Sequence, residues 1–502
     1  MKTTIFGVLL DVNEENDTTL RRLMREYGFM FRFAFKRLSE GIIQVGALER
    51  HCASETGLPL RYAKDAVHDA QELIVGRRQA MQDSLTLWQR RAKKTVARLT
   101  ALKKDHPDSR RIPGLERKLL RQQEHVGFYQ CHVTDKTFPP VIFGTRQLFL
   151  ERFHTLADPL AEAHRQKVWK EQWDEGRNGR LSARGDRTKN GNPLLRLHEG
   201  PDHWLLEMSL DERDPQKKGI RYQKLLLPLY VARKVHSKTG KINGRDYEGL
   251  LRRVLASGDP YHVEILRRHG RYQVRITVEE EPAALQTYPI NGWIGVDTNV
   301  TFLALCQVRL DGNPQGFATF GDGRLYDARA TQRDAIIGEV TRQAVQWAKE
   351  RGAGLVVENL KFIHDKDVSA KFNRVTHQFT YRAFLAALTR HAAREGVEVR
   401  QAKPAYTSMI GRFKYQPQYG ISVHHAAALV IGRRGGLKVW RENVPKPLRE
   451  WMQRRGKWND TAYRKADWSA WNTVTQEIKI VLLKNRQYLN AWLGQRHQIY
   501  QH

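Results

Sequence analysis

The sequence predicts a multidomain α/β protein, in which a three-layer α/β domain with a partly parallel sheet follows a helical region and a strand-rich region. Three observations lead there. Beyond residue 290, strand-like and helix-like segments alternate. Between residues 15 and 128, apolar residues recur at helical spacing, and between 129 and 288 the texture becomes strand-like. At 502 residues the chain is too long for one ordinary core, so roughly two to four structural units are expected.

Taken in order, KTTIFGVLLD at 2–11 has the length and branching of a short strand, and the cap-rich NEEND ends it. Leu20, Leu23, Tyr27, Met30, Ala34 and Leu38 then line one face of a helix that Gly41 stops. Residues 62–126 predict a helical hairpin, broken by HPDS at 106–109 and reopened by Pro113, a residue suited to a first turn. Its polar face is crowded with cations, as in QRRAKK and ERKLLRQQ. From 129 to 288 the strand signals are PVIFG, HWLLEMSL, KLLLPLYV and the pair YHVEILRRHGRYQVRITVEE, which turns at His269 and Gly270. Between them GRNGRLSARGDRTKNGNP reads as a basic, glycine-rich loop, either a surface connection or a phosphate contact.

After residue 290, IGVDTNVTFLALCQVRL and PQGFATFGD read as strands and TQRDAIIGEVTRQAVQWAKERG as an amphipathic helix. The strand GLVVENL, the helix HQFTYRAFLAALTRHAAREG, the strand VEVRQAKP and a helix starting near Ser422 follow. The last 60 or so residues hold six tryptophans, from Trp440 to Trp492, among many cations. They can pack on the α/β domain or stack on bases. The expected units are 1–14, 15–128, 129–288, 289–438 and 439–502.

Lys and Arg number 85 against 54 Asp and Glu, a formal net charge of +31 spread along the chain. Such a balance on a foldable chain points to a polyanion, because each neutralised phosphate releases condensed counterions. Cys52, Cys131 and Cys306 have no CxxC spacing, which excludes a disulfide framework and a cysteine zinc site. No apolar run reaches the roughly 18 to 20 residues of a membrane span, and the first residues turn acidic where a signal peptide stays apolar. A cytoplasmic protein with no membrane partner is expected.

Two acids interrupt strands whose other residues demand burial. Asp297 lies within IGVDTNVTFLAL and Glu358 ends LVVE. An unpaired buried charge is costly, so each needs a salt bridge, a proton or a shared divalent cation. Two carboxylates at the ends of neighbouring strands can clamp Mg2+ or Mn2+, two ions about 4 Å apart, for phosphodiester hydrolysis.

IGVDTNVTFLAL and LVVENLKF resemble the first and second catalytic segments of the RuvC-like, RNase H-like nuclease domain of TnpB-like transposon proteins and compact type V CRISPR effectors. SVHHAAALVIGRRG is similar to their third segment, typically D-x-N-A-A, and PPVIFGTRQLF to their lead-in from helical region to barrel. The resemblance implies a bilobed architecture: a β-barrel (wedge-like) domain with an inserted α-helical recognition region, then the RuvC domain. It also implies an RNA-guided DNA endonuclease with one site, two divalent ions, a guide RNA and a target DNA, working as a monomer or as a homodimer on one guide. Asp297 and Glu358 take the metal-ligand positions. Arg90, Arg91, Lys93 and Lys94, with Arg146 and the loop residues Arg180 and Arg184, are candidates for guide phosphates.

Two departures stand out. The family's four-cysteine zinc ribbon is replaced by the cysteine-free KPAYTSMIGRFKYQPQYG, so a zinc-free loop is expected. His424 stands where the third aspartate belongs. It can serve as third metal ligand, as general base, or as a residue lining a helix face, and Ser422 is placed to cap that helix. Asp322, Asp327 and Asp334 are alternative third acids. Loss of the acid also suggests a nuclease-deficient, RNA-guided DNA-binding protein that represses transcription.

Overall fold

In the computed structural model, residues 1–41, 44–213, 222–232, 245–359, 378–439, 441–458 and 469–484 are described. Much of the tryptophan-rich segment after 439, including Trp440, Trp468 and Trp492, and Leu360 to Phe362 of LVVENLKF lie outside them. The chain forms two compact units, Lys2–Glu280 and Glu281–His502. No described helix is long and apolar enough to cross a membrane.

The first unit is built on a seven-stranded sheet. Its strands are β1 (Lys2–Leu9), β2 (Arg180–Ala183), β3 (Leu195–Glu199), β4 (Trp204–Arg213), β5 (Tyr222–Val231), β6 (Tyr261–Arg268) and β7 (Arg271–Glu279). The order is β2-β6-β7-β1-β5-β4-β3, antiparallel throughout. The β6–β7 turn falls on His269 and Gly270, both at positive φ, as a two-residue hairpin needs. The Tyr261 hydroxyl on β6 accepts from the Leu197 amide of β3. Buried Asn192 donates to the carbonyls of Ala183 and Tyr261, so side chains tie the sheet's edge strands together.

Helices α1 (Glu14–Ser39), α2 (Val45–Thr56), α3 (Leu60–Asp105) and α4 (Ile112–Thr134) belong to the same unit. The helical face predicted from Leu20 through Ala34 is buried, and it shares one core with Ala63, Ala66 and Ala70 of α3 and with Ile5, Ile265 and Ile276 of the sheet. The hairpin of α3 and α4 is interrupted at 106–111, as HPDS predicts.

The stretch from 129 departs from its expected strand texture. Residues 129–134 finish α4, PVIFG is not a strand, and two helices follow, α5 (Arg146–Glu151) and α6 (Pro159–Asn178). Neither buries a residue fully, so there was no apolar periodicity to read. GRNGRLSARGDRTKNGNP is also more than a loop. It contains β2, three of whose four residues are buried, and fully buried Asn192. A final helix, α7 (Tyr247–Ser257), precedes β6.

The second unit carries a five-stranded sheet of β8 (Trp293–Thr298), β9 (Phe302–Val308), β10 (Pro314–Gly321), β11 (Gly354–Glu358) and β12 (Val399–Ala402). The order is β10-β9-β8-β11-β12, with β8, β9 and β10 antiparallel and β11 parallel to both β8 and β12. This is the strand order of an RNase H-like fold. IGVDTNVTFLALCQVRL therefore forms two strands, turning at 299–301. Helices α8 (Ala330–Glu350) and α9 (Gln378–Glu395) pack in one core, where Ile337, Ala344, Phe384 and Leu388 meet Ile294, Leu305 and Leu355. KPAYTSMIGRFKYQPQYG is largely helical, with α10 (Thr407–Ile410), a π turn (Gly411–Tyr415) and α11 (Gln416–Tyr419). Ile410, Phe413 and Tyr415 anchor it in a second core, with Leu429 and Val430 of α12 (Val423–Gly436) and Trp471. The interval between β12 and α12 is thus closed by apolar packing around short helices.

Candidate active site

Parallel β8 and β11 are paired with Val296 opposite Val357, so the next residues, Asp297 and Glu358, stand abreast at the strands' C-terminal ends. The preceding four residues of each strand are buried and the acids are half-buried. Sheets of this kind present their ligand crevice at these ends, where the strand order reverses.

Helix α12 reaches the site because β8 has a glycine two residues before its acid. A Cβ on Gly295 would lie 1.8 Å from the Ala428 carbonyl oxygen and 2.4 Å from the Gly432 amide. Backbone therefore meets backbone, and side chains at 295 and 297 project from the same face of the strand. Ser422 caps α12, its side chain accepting from the His425 amide at 3.1 Å, as the sequence predicts.

The capped first turn brings His424 Nδ1 to 2.9 Å from Oδ2 of Asp297. Asn299 Nδ2 donates to the same oxygen at 3.0 Å, and Phe302 meets the imidazole edge to face at 5.1 Å. An ionised carboxylate only accepts, so Nδ1 carries the proton, and in the neutral ring Nε2 is then the acceptor. His424 is 46% exposed, against 13% for Asp297, which leaves that acceptor open to water. His425 is used differently: its Nε2 lies 3.2 Å from the Ala318 carbonyl and 3.0 Å from Thr319 Oγ1 on β10.

Glu358 is held on both sides. The Tyr381 hydroxyl donates to its carbonyl at 2.5 Å, and the Thr407 hydroxyl donates to Oε1 at 2.5 Å. Burial pushes its carboxyl up to about 7, and the neighbouring charge of Asp297 pushes the same way against the Thr407 hydrogen bond and the Arg434 guanidinium. The two carboxylates repel each other, and a proton on Glu358 or a cation between them relieves the repulsion. Among the described residues, no three His, Cys, Asp or Glu side chains are gathered as a metal-binding group. The donor set therefore suits a hard ion that takes one or two carboxylates and completes its shell with water and phosphate oxygens, as Mg2+ does.

The alternative third acids do not join the pair. The Asp322 amide bonds to the Thr301 carbonyl, at the same end of the sheet, but its carboxylate binds Arg324 at 2.6 Å. Asp327 and Asp334 are exposed, and no described hydrogen bond or ion pair links any of the three to Asp297.

The basic candidates lie in the first unit and divide into two groups. Arg90, Lys93 and Lys94 are exposed on α3, Arg91 lies over Trp88 at 4.7 Å, and Arg146 is exposed at the start of α5. Arg180 bonds Asp69 and Glu264 at 3.0 and 2.6 Å. Arg184 bonds Asp69 at 2.7 Å and Glu72 at 3.1 Å, and its amide donates to Asp65. Asp65, Asp69 and Glu72 recur at i, i+4 and i+7, a one-face acidic stripe that the sequence displays and that marks where these guanidiniums go.

No protein-family model and no curated protein matches the chain. Among solved structures it is similar to T. thermophilus RuvC in complex with a Holliday junction substrate, at 17% identity and a TM-score of 0.22 over 33% of this chain and 95% of that one. It is also similar to a Cas12f1–sgRNA–target DNA complex (10%, 0.22, 86% and 99%) and a Cas12i–crRNA–dsDNA complex in the I1 state (10%, 0.31, 76% and 67%). Scores this low transfer no activity, and the fold rests on the strand order itself.

Proposed function

We propose that the chain is an RNA-guided DNA endonuclease, TnpB-like or a compact type V effector, that cleaves with a single RuvC-like site in its second unit. One observation carries the reading: Asp297 and Glu358 stand abreast at the ends of parallel strands, with His424 seated on Asp297. Mg2+ or Mn2+, two ions by the resemblance, would be held by Asp297 and Glu358 and would neutralise charge on the attacking water and the leaving oxygen. His424 takes the proton of that water at Nε2, and Asp297 steadies the resulting imidazolium through Nδ1. The water oxygen bonds to phosphorus as the sugar oxygen leaves.

The net charge of +31 and the exposed Arg90, Lys93, Lys94 and Arg146 support a guide RNA partner, with Arg91 alongside them. Target sequence would be read by pairing with that RNA. Arg180 and Arg184 contribute less, because carboxylates already take their guanidiniums.

A second reading, a guided DNA-binding repressor without cleavage, is favoured by the histidine in place of the third acid and by its hold on an Asp297 oxygen. The deciding experiment incubates the protein and its co-purifying RNA with matched plasmid in Mg2+ or Mn2+. Cleavage that Asp297→Ala abolishes supports the nuclease, and cleavage that survives it overturns the assignment. Guide-dependent binding without nicking in either cation supports the repressor.

A further inference from the structure

Resting on the nuclease reading, we infer that Thr407 is a positioning residue for Glu358, and that α12 sets both carboxylates of the site. The Thr407 side chain is buried, and its hydroxyl, 2.5 Å from Oε1 of Glu358, is the one side-chain donor to that carboxylate among the described residues. The Pro404 carbonyl, at 3.3 Å, is the weaker competitor for its single proton. The bond fixes rotation of the carboxyl group about its last torsion, which is otherwise broad.

What places Thr407 is the helix that carries His424. Arg434, 1% exposed on α12, donates from Nη1 to the carbonyls of Lys403 at 2.5 Å and Ala405 at 2.8 Å. These two bonds pin the chain leaving β12 just before Tyr406, which takes a left-handed conformation with φ 60° and starts α10 at Thr407. β12 itself is paired to β11 with Ala402 opposite Glu358. Backbone pairing and the Tyr381 bond therefore hold the Glu358 main chain, while Thr407 holds its carboxylate. One end of α12 orients Asp297 through His424, and the other orients Glu358 through Arg434 and Thr407.

The test is Mn2+ binding to the RNA-loaded protein, by calorimetry, for the parent, Asp297→Ala, Thr407→Val and Thr407→Ser, with thermal melts to verify folding. Thr407→Val is expected to weaken Mn2+ binding about tenfold and to lower kcat for cleavage with KM for DNA unchanged, and Thr407→Ser to restore both to within about threefold. Thr407→Ala is read in the same way if the valine variant does not fold. Binding that falls with Asp297→Ala but stays at the parent value in the hydroxyl-free variant overturns the role of Thr407. Binding untouched by Asp297→Ala overturns the cation site itself.

Discussion

His424 Nδ1 sits 2.9 Å from Oδ2 of Asp297, so the histidine in the first turn of α12 is bonded to one of the two strand-end acids. His424→Asp exchanges that attraction for repulsion between two carboxylates. Without divalent cation the variant is expected to melt several degrees lower than the parent, and Mg2+ is expected to restore the loss. A cleavage rate above the parent's would identify the histidine as the brake, and a melting temperature indifferent to Mg2+ would count against a cation site.

Glu358→Gln separates stability from activity. The parent carboxyl, raised from 4.5 to about 7, costs stability progressively as pH rises from about 4.5 to about 7, because the unfolded glutamate sheds its proton first, and the cost is complete above that window. A glutamine Oε1 still accepts from Thr407 and carries no charge. Above pH 8 the variant should be more stable by up to about 3 kcal/mol and should not cleave. Denaturant unfolding that shows a loss of stability contradicts the buried carboxylate picture.

Gly295→Ala would drive α12 off β8, since its methyl group has no room against the Ala428 carbonyl and Gly432 amide. A cost of about 2–4 kcal/mol is expected from overpacking and lost burial. Spectroscopically, the His424 ring protons should lose their Phe302 ring-current shift. A variant as stable as the parent would show that the helix can ride higher without penalty.

Asp65 gives the first unit a pH dependence. Burial outweighs the Arg184 amide and the nearby guanidiniums and raises its carboxyl to about 6 from 3.8. The folded chain holds the proton longer than the unfolded one, so stability should fall as pH rises from about 4 to about 6. Asp65→Asn should flatten that slope, an effect of up to about 3 kcal/mol across the window. A slope that remains in the variant would assign the titration elsewhere.

For guide RNA, replacing Arg90, Lys93 and Lys94 with Ala should flatten the salt dependence of binding by about 0.7 per lost phosphate contact. Arg180→Ala should leave the slope unchanged and cost about 1–3 kcal/mol of stability, because Asp69 loses a partner while buried. A larger slope change for Arg180 than for the α3 cations would return the β2 segment to the RNA surface.

The parts of the fold that were legible announce themselves by local contrast. Asp297 and Glu358 are charges inside apolar strands, and Ser422 precedes an apolar helix with no other cap in reach. The α5 and α6 helices were hidden because none of their residues is fully buried, so no periodic stripe betrays them. β2 was hidden because its neighbours are arginines neutralised by the α3 acids, which make a buried strand look like a polar loop. Thr407 could not be singled out, since its role depends on a left-handed Tyr406 and on Arg434, distant in sequence.

The bond between Asp297 and His424 spans 127 positions of chain, and the helix responsible ends only at Gly436. Synthesis supplies those positions in order. A chain still on the ribosome thus carries both acids long before it carries the helix that aims them, and a product terminated ahead of residue 436 has the reactive groups without their arrangement. Whatever chemistry the crevice performs is withheld from the nascent protein and arrives with the docking of one late helix.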